Sequence, residues 1–426
     1  MNRDERAQAA RALDEADPLG AFRERFALPC DAAGEPLTYL CGHSLGLMPL
    51  AAREAVIQEL DDWAQLGVRG HEHARRPWIP YHEQLATPLA RLTGAAPAEV
   101  AAMASLSVNL HLLLASFYRP SPTAQRSKIL IEEGAFPSDR HVVCSQIAWH
   151  GLDPAAHVIE LAPPPGEDLV SHEAIEACLE QQGAEIALVL WPGVQYRTGQ
   201  AFDLRRIAQA AHRQGCIVGF DLAHSIGNLP LALHEDQADF AVWCSYKYLN
   251  AGPGAIGGCF IHERHTDRPH LSGWWGTQES TRFQMGPTYE PAAGAAAWQI
   301  SNPPILATAP LIASLALFDE ARIDRLRAKS LALTRFLEDS LLELGHGLQL
   351  ITPRAPESRG SQLSLRVKGA PGRGRKIYEH LGHRGIVCDW REPDTIRVAP
   401  IPLYNRFADV LRLRATLAQA LEETAP

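Results

Sequence analysis

Through the middle of the chain, short apolar runs alternate with segments whose apolar residues recur about every three to four positions. KILIEE, from Lys128 to Glu133, reads as a strand. Ser171 then stands where a helix cap is needed, with Ile175, Cys178 and Leu179 on one face and Gly183 at the end. IALVLWP, from Ile186 to Pro192, is the next strand. Asp203 is placed to cap a second helix with Leu204, Ile207, Ala208 and Ala211 inward, closed by Gly215. CIVGFDLA, DFAVWCSY and GGCFIHE follow as further strands. This alternation predicts an α/β fold with a mostly parallel sheet covered on both faces. Ligands of such sheets sit at the carboxyl ends of the strands.

Beyond Pro310 the pattern changes. A long helical periodicity runs from Leu311 to about Leu344. LQLITP, GSQLSLRV, a helical KIYEHLG, IVCDW and TIRVAP come next. A last helix bears Phe407, Val410, Leu411, Leu417 and Leu421. These elements predict a small α+β domain over 311–426, a large domain over 51–310 and an N-terminal segment over 1–50.

A length of 426 residues fits two or three domains. Hydrophobic content of 46% and charged content of 21% are those of an ordinary soluble globular protein. The net charge of -9 and the lack of a long basic run argue against a nucleic-acid partner. The opening MNRDERAQAARALDEADP has no apolar signal core, and no later run is long enough to span a bilayer, so no membrane partner is expected. The eight cysteines are scattered without a CxxC pair and read as buried free thiols of a reducing cytoplasm.

Two residues carry the chemistry. Asp221 ends the apolar run of CIVGFD, and Lys247 follows the next run in WCSYKYLNAGPG. A lysine amine can hold the aldehyde of pyridoxal 5'-phosphate, and an aspartate can keep its pyridine nitrogen protonated as an electron sink. Either residue alone would mean little.

Other strings are weaker or misleading. Gly252, Gly254 and Gly257 spell GxGxxG, but a strand-like GCFIHE follows where a dinucleotide site needs a helix. His71 and Glu72 begin an HExxH-like string, but Arg75 stands at its final position, so no metal site is predicted. In EEGAFPSDRH, Phe136 suits stacking on a flat ring and Asp139 suits a ring substituent. An ordinary loop with Ser138 or Asp139 capping a helix explains the string equally well. Backbone amides at Leu106 and Ser107 suit a phosphate, or belong to a plain helix start. Arg397, in TIRVAP, suits a carboxylate or the surface.

Taken together the strings resemble kynureninase, a pyridoxal-phosphate family of tryptophan catabolism and NAD biosynthesis. They are YLCGHSLGLMP, SVNLHLLLASFYRP, GAFPSD, GFDLAHSIGN, WCSYKYLNAGPG, GWWG, TRFQM, SNPPIL, RGSQLSLRV and RVAPIPLYNRF, in order from Tyr39 to Phe407. The resemblance implies fold type I: a seven-stranded sheet in the large domain, and a small C-terminal domain packed with the N-terminal segment. It implies a cytoplasmic homodimer with shared active sites.

By the same resemblance Lys247 carries the cofactor and moves the α-proton, over Asp221 with His224 beside it. Phe136, Pro137, Ser138 and Asp139 belong to the cofactor shell. Leu106, Ser107 and Tyr246 surround the phosphate, joined by Trp274 and Asn302 from the second subunit. Tyr246 is also a candidate for proton transfer at the β/γ stage. Ser44 and Arg397 belong to the substrate-carboxylate end, and His71, Ser301 and Asn302 to the aryl pocket. The implied reaction is hydrolytic cleavage of the Cβ–Cγ bond of L-kynurenine or 3-hydroxy-L-kynurenine. A cysteine desulfurase or aminotransferase of the same fold is the rival reading. Three departures stand out: His43 where the family commonly has asparagine, Ser107 where threonine is frequent, and Pro192 where some relatives have serine.

Overall fold

The computed structural model describes residues 3–120 and 125–424. Its central sheet is built from β1 (Val100–Ala102), β2 (Lys128–Glu132), β3 (Val158–Leu161), β4 (Ile186–Pro192), β5 (Ile217–Asp221), β6 (Phe240–Trp243) and β7 (Gly258–Ile261). The seven strands lie in the order β1-β7-β6-β5-β4-β2-β3. Only β7 runs antiparallel to its neighbours.

Successive strand residues serve different cores. Leu130, Val189, Trp191, Val218 and Phe220 join one, with the helices His172–Gln182 and Leu204–Arg213. Ile129, Ile131, Leu188, Leu190 and Val242 join the other, with the helices Leu106–Phe117 and Pro137–Trp149. Burial on both faces is why these strands read as continuous apolar runs. The predicted caps form: Ser171 Oγ accepts the Ala174 N–H at 3.1 Å, and Asp203 Oδ1 accepts the Arg206 N–H at 3.0 Å.

The single helical run predicted from Leu311 to Leu344 is two helices, Ile305–Ala321 and Ile323–Leu342. The chain breaks at Arg322, whose φ of 64° lies in the left-handed region. Pro310 lies inside the first helix and does not start it. Leu311, Leu315 and Phe318 pack into the core of the large sheet, whereas Leu333, Leu337 and Leu341 pack with the C-terminal elements. Two different burial demands, not a breaker residue, divide the run.

The C-terminal sheet is β8 (Leu348–Leu350), β9 (Leu363–Val367), β10 (Asp389–Arg391) and β11 (Thr395–Val398), antiparallel in the order β10-β11-β9-β8. Helices Arg373–His383 and Phe407–Glu423 cover it. The N-terminal segment is tied to this part. Asp14 accepts the N–H groups of Phe407 and Ala408, at 2.7 and 3.1 Å, and Thr38–Tyr39 pairs in parallel with Ile386–Val387. Among the described residues no helix is long and apolar enough to cross a membrane.

Candidate active site

Asp221 is the last residue of β5, and Lys247 sits in the turn just beyond β6, at the carboxyl ends of adjacent parallel strands. Asp221 Oδ1 accepts the Ala223 N–H at 2.7 Å, which fixes the carboxylate. The lysine turn closes with Asn250 N–H on Lys247 O at 3.0 Å and Ala251 N–H on Ser245 O at 3.0 Å. Lys247 Nζ lies 3.0 Å from His224 Nε2 and 5.6 Å from the centre of the Phe136 ring. Burial and the Lys247 charge hold His224 neutral. One cavity is lined by Lys247, Asp221, His224, Phe136, Ser138, Asp139, Leu106, Ser107 and Tyr246. Pro137 stands behind it as the first residue of its helix. Sequence strings up to about 140 residues apart thus meet at one place.

Neither Ser138 nor Asp139 caps that helix. Phe136 is the cap residue and makes no side-chain bond to the helix. The Ser138 hydroxyl instead meets the Ser107 hydroxyl at 2.6 Å, where two helix N-termini converge. First-turn amides have no intrahelical acceptor, so two such ends with two hydroxyls form a place for an anion.

The same cavity also holds acidic groups. Asp139 and Asp221 share a hydrogen bond, and Asp139 Oδ1 has no partner. Burial, and then Asp221, push the Asp139 carboxyl well above its ordinary range. Burial pushes Glu132, at the end of β2, up to about 8. Three buried carboxyls face one lysine. A protonated ring nitrogen against Asp221, a phosphate at Ser107 and Ser138, and a flat ring against Phe136 fit this cavity. Tyr246 lines it too; burial raises its hydroxyl pKa, and that hydroxyl shares a hydrogen bond with Cys244.

Sequence reasoning missed Glu132, Gln195 and Tyr196. Gln195 Nε2 donates to Glu132 Oε1 at 3.3 Å, and the Tyr196 ring meets Phe136 edge-on at 5.3 Å. Glu132 ends β2, and Gln195 and Tyr196 lie just after β4; position at the ligand-binding edge of the sheet was the available signal.

Arg397 is 1% exposed, not a surface residue. Its Nε donates to Asp389 at 2.6 Å and its Nη1 to Tyr196 O at 2.6 Å. Ser44 lies half-buried in a turn whose His43 reaches Asp389, with its own N–H on Cys41 O at 2.9 Å. His71, Trp274 and Asn302 do not line the Lys247 cavity; with Trp78 and Phe283 they line a separate hollow. Ser301 is exposed beside Asn302. Trp274 is 47% exposed, with Nε1 bonded to Arg282 O at 3.1 Å. Both decoys resolve as structure: GxGxxG runs directly into strand β7, and His71 lies in the single-turn helix Gly70–His73.

Residues 326–417 match the Kynureninase C-terminal domain. A kynureninase of Xanthomonas euvesicatoria is 56% identical over 402 residues, 94% of each chain. A kynureninase of Xanthomonas campestris is 55% identical over 407 residues, 95% of each chain. Among solved structures, a cysteine desulfurase of Escherichia coli superposes with a TM-score of 0.76 at 19% identity, over 95% of this chain and 98% of its own. The cystine C–S lyase C-DES, in complex with cysteine persulfide, gives 0.76 at 21%, over 90% and 97%. The two structural neighbours share the fold. Identity above one half along nearly the whole length is a closer tie, and by it the chain belongs to the kynureninase family.

Proposed function

We propose that the chain hydrolyses the Cβ–Cγ bond of L-kynurenine, 3-hydroxy-L-kynurenine or both, releasing anthranilate or 3-hydroxyanthranilate and L-alanine. The observation that carries this is Lys247 facing three buried carboxyls beneath Phe136, in a chain 56% identical to a kynureninase. The cofactor of the family is pyridoxal phosphate. When bound, it supplies an aldehyde for a lysine amine and a ring that withdraws electrons from the bonds at the substrate's α-carbon.

Asp221 would keep the cofactor's ring nitrogen protonated, with the protonated Asp139 donating to Asp221 and holding it in line. Phe136 would pack against the ring, and Ser107, Ser138 and the amides from Leu106 onward would hold the phosphate. His224, neutral, accepts from Lys247 and fixes its amine. Lys247 removes the proton from Cα. Water adds to the γ-carbonyl, the Cβ–Cγ bond breaks toward Cβ, and the aryl carboxylic acid leaves. Tyr246, whose raised pKa keeps its hydroxyl protonated, supplies the proton that Cβ takes up as alanine forms. Arg397 and Ser44 bind the α-carboxylate.

His71, Ser301 and Asn302, with Trp274, lie outside this cavity and complete the aryl pocket and phosphate site of a second subunit. The active unit is therefore a homodimer, working in the cytoplasm in tryptophan catabolism. A cysteine desulfurase would need no such pocket. The test is an absorbance spectrum of the purified protein, then incubation with L-kynurenine and with 3-hydroxy-L-kynurenine. Bound pyridoxal phosphate with release of the aryl acid is expected; bound cofactor without either aryl acid sinks the proposal.

A further inference from the structure

The guanidinium of Arg397 has five N–H donors in one plane. The Nε–H and one Nη2–H face Asp389 Oδ2, and one Nη1–H goes to Tyr196 O. Among the described residues Arg397 makes no other hydrogen bond. One N–H therefore remains on each terminal nitrogen, the pair that meets a carboxylate's two oxygens side by side.

Asp389 Oδ2 is a junction. It also faces Arg391 Nε at 3.0 Å and His43 Nε2 at 3.9 Å. Two guanidiniums, the buried Arg397 and the partly exposed Arg391, share this one carboxylate, which leaves Arg397 without a full counter-charge of its own. Such a place favours a further anion.

His43 is fully buried, and neither ring nitrogen has a hydrogen-bond partner. A buried polar group left unpaired is costly and calls for an explanation. The turn that carries His43 has little room to shift the ring toward another partner. It is pressed between fixed groups: a Cβ at Gly42 would collide with the Tyr404 hydroxyl, and one at Gly46 with the Lys247 carbonyl. The Gly46 N–H is bonded to Tyr246 O at 2.8 Å. Burial and the charges of Arg397, Lys247 and Arg391 keep the imidazole neutral. A neutral imidazole beside a carboxylate carries its proton on the nearer nitrogen, here Nε2.

We propose that Asp389 and His43 are positioning residues for Arg397: Asp389 fixes the Nε side of the guanidinium, and the His43 N–H, 3.9 Å from Asp389 Oδ2 and unbonded, closes on that oxygen when the free edge takes the substrate's α-carboxylate. This rests on the reading that Arg397 binds that carboxylate. Arg397, Arg391 and His43 all converge on Asp389 Oδ2, so the incoming anion takes the N–H groups of Arg397 that Asp389 leaves free.

The test compares the holoenzyme with Arg397→Gln, Asp389→Asn, His43→Leu and His43→Asn. It reads kcat and KM for kynurenine, the cofactor's absorbance, and inhibition by L-alanine and by anthranilate. L-Alanine carries the α-amino and α-carboxylate groups without the aryl ring, and anthranilate only the aryl end; a change confined to alanine therefore lies at the amino-acid end, and an unchanged cofactor spectrum leaves the carboxylate as its source. Asp389→Asn and His43→Leu are expected to raise KM and the alanine inhibition constant about ten-fold or more, with kcat changed less than about three-fold. Anthranilate inhibition and the cofactor spectrum stay as in wild type. His43→Asn, which keeps an N–H donor, restores alanine affinity to within about three-fold. If Arg397→Gln leaves KM and alanine inhibition unchanged, the carboxylate reading of Arg397 fails. If Arg397→Gln weakens both while Asp389→Asn and His43→Leu do not, only the positioning proposal is overturned. Should Asp389→Asn melt below the assay temperature, the His43 pair decides: equal alanine affinity in His43→Leu and His43→Asn overturns it.

Discussion

Lys247 Nζ and His224 Nε2 stand 3.0 Å apart, and the histidine is held neutral by burial and by the lysine's own charge. His224 is therefore an acceptor at Nε2, and the lysine amine is a donor with a fixed direction. Among the described residues no other lysine lines the cavity. Lys247→Ala is expected to abolish turnover and the absorbance band of lysine-bound cofactor. Full activity in that variant would remove Lys247 from the chemistry.

Glu132 gives the cofactor-free protein a pH dependence. Its carboxyl has an ordinary pKa of 4.5 and is pushed up to about 8 by burial, helped by Asp221. The folded form thus keeps a proton that the unfolded chain has already lost. This contribution to stability is complete below about 4.5 and disappears as pH rises through about 8. Asp139 acts in the same sense. The slope from one such group is at most about 1.4 kcal/mol per pH unit. Urea melts of the cofactor-free protein between about pH 5 and 8 should show stability falling with pH, and Glu132→Gln should flatten the fall. Identical slopes in the two proteins would show that Glu132 titrates normally.

The strands and the placement of Asp221 and Lys247 were legible because burial on both faces leaves continuous apolar runs, and because ligands of such sheets bind where those runs end. Ser171 and Asp203 were legible as caps, since each precedes an amphipathic segment closed by glycine. The break at Arg322 was not, because no glycine or proline marks it; two cores simply claim successive stretches of one apolar pattern. Ser138 and Asp139 misled for a related reason. Both are good cap residues, but Ser107 and Asp221, distant in sequence, claim their side chains. Gln195 and Tyr196 were missed because their value lies in contacts with Glu132, Phe136 and Arg397, which a local reading does not bring together.

Trp274 is half exposed in a hollow apart from the Lys247 cavity. If it completes the partner's site, two defective chains can repair each other. A dimer of one Lys247→Ala chain and one Trp274→Ala chain has one intact site, with lysine from the second and tryptophan from the first. Random mixing should then give about a quarter of wild-type activity, above that of either variant alone. Mixed samples no more active than the sum of the separate variants would refute shared sites, as would a fully active monomer in sedimentation.

Asn302 bears on substrate choice. It lines the hollow with His71 and Trp274, next to the exposed Ser301. An amide or imidazole there can hydrogen-bond a hydroxyl on the aryl ring. A pocket built for that bond leaves polar groups unpaired when the hydroxyl is missing, at about 1–3 kcal/mol for each buried group. About 1.4 kcal/mol is a factor of ten in kcat/KM, so a preference of roughly that size follows. Water held in the pocket of the dimer would soften it by taking the place of the absent hydroxyl. Both substrates are therefore expected to turn over, with 3-hydroxy-L-kynurenine at least competitive. The measurement is kcat/KM for each substrate in wild type and in Asn302→Thr. Threonine keeps a hydroxyl but loses the reach of the amide, so the ratio should move toward L-kynurenine. A ratio that does not change takes Asn302 out of the recognition of the ring hydroxyl and leaves His71 and Ser301 to account for it.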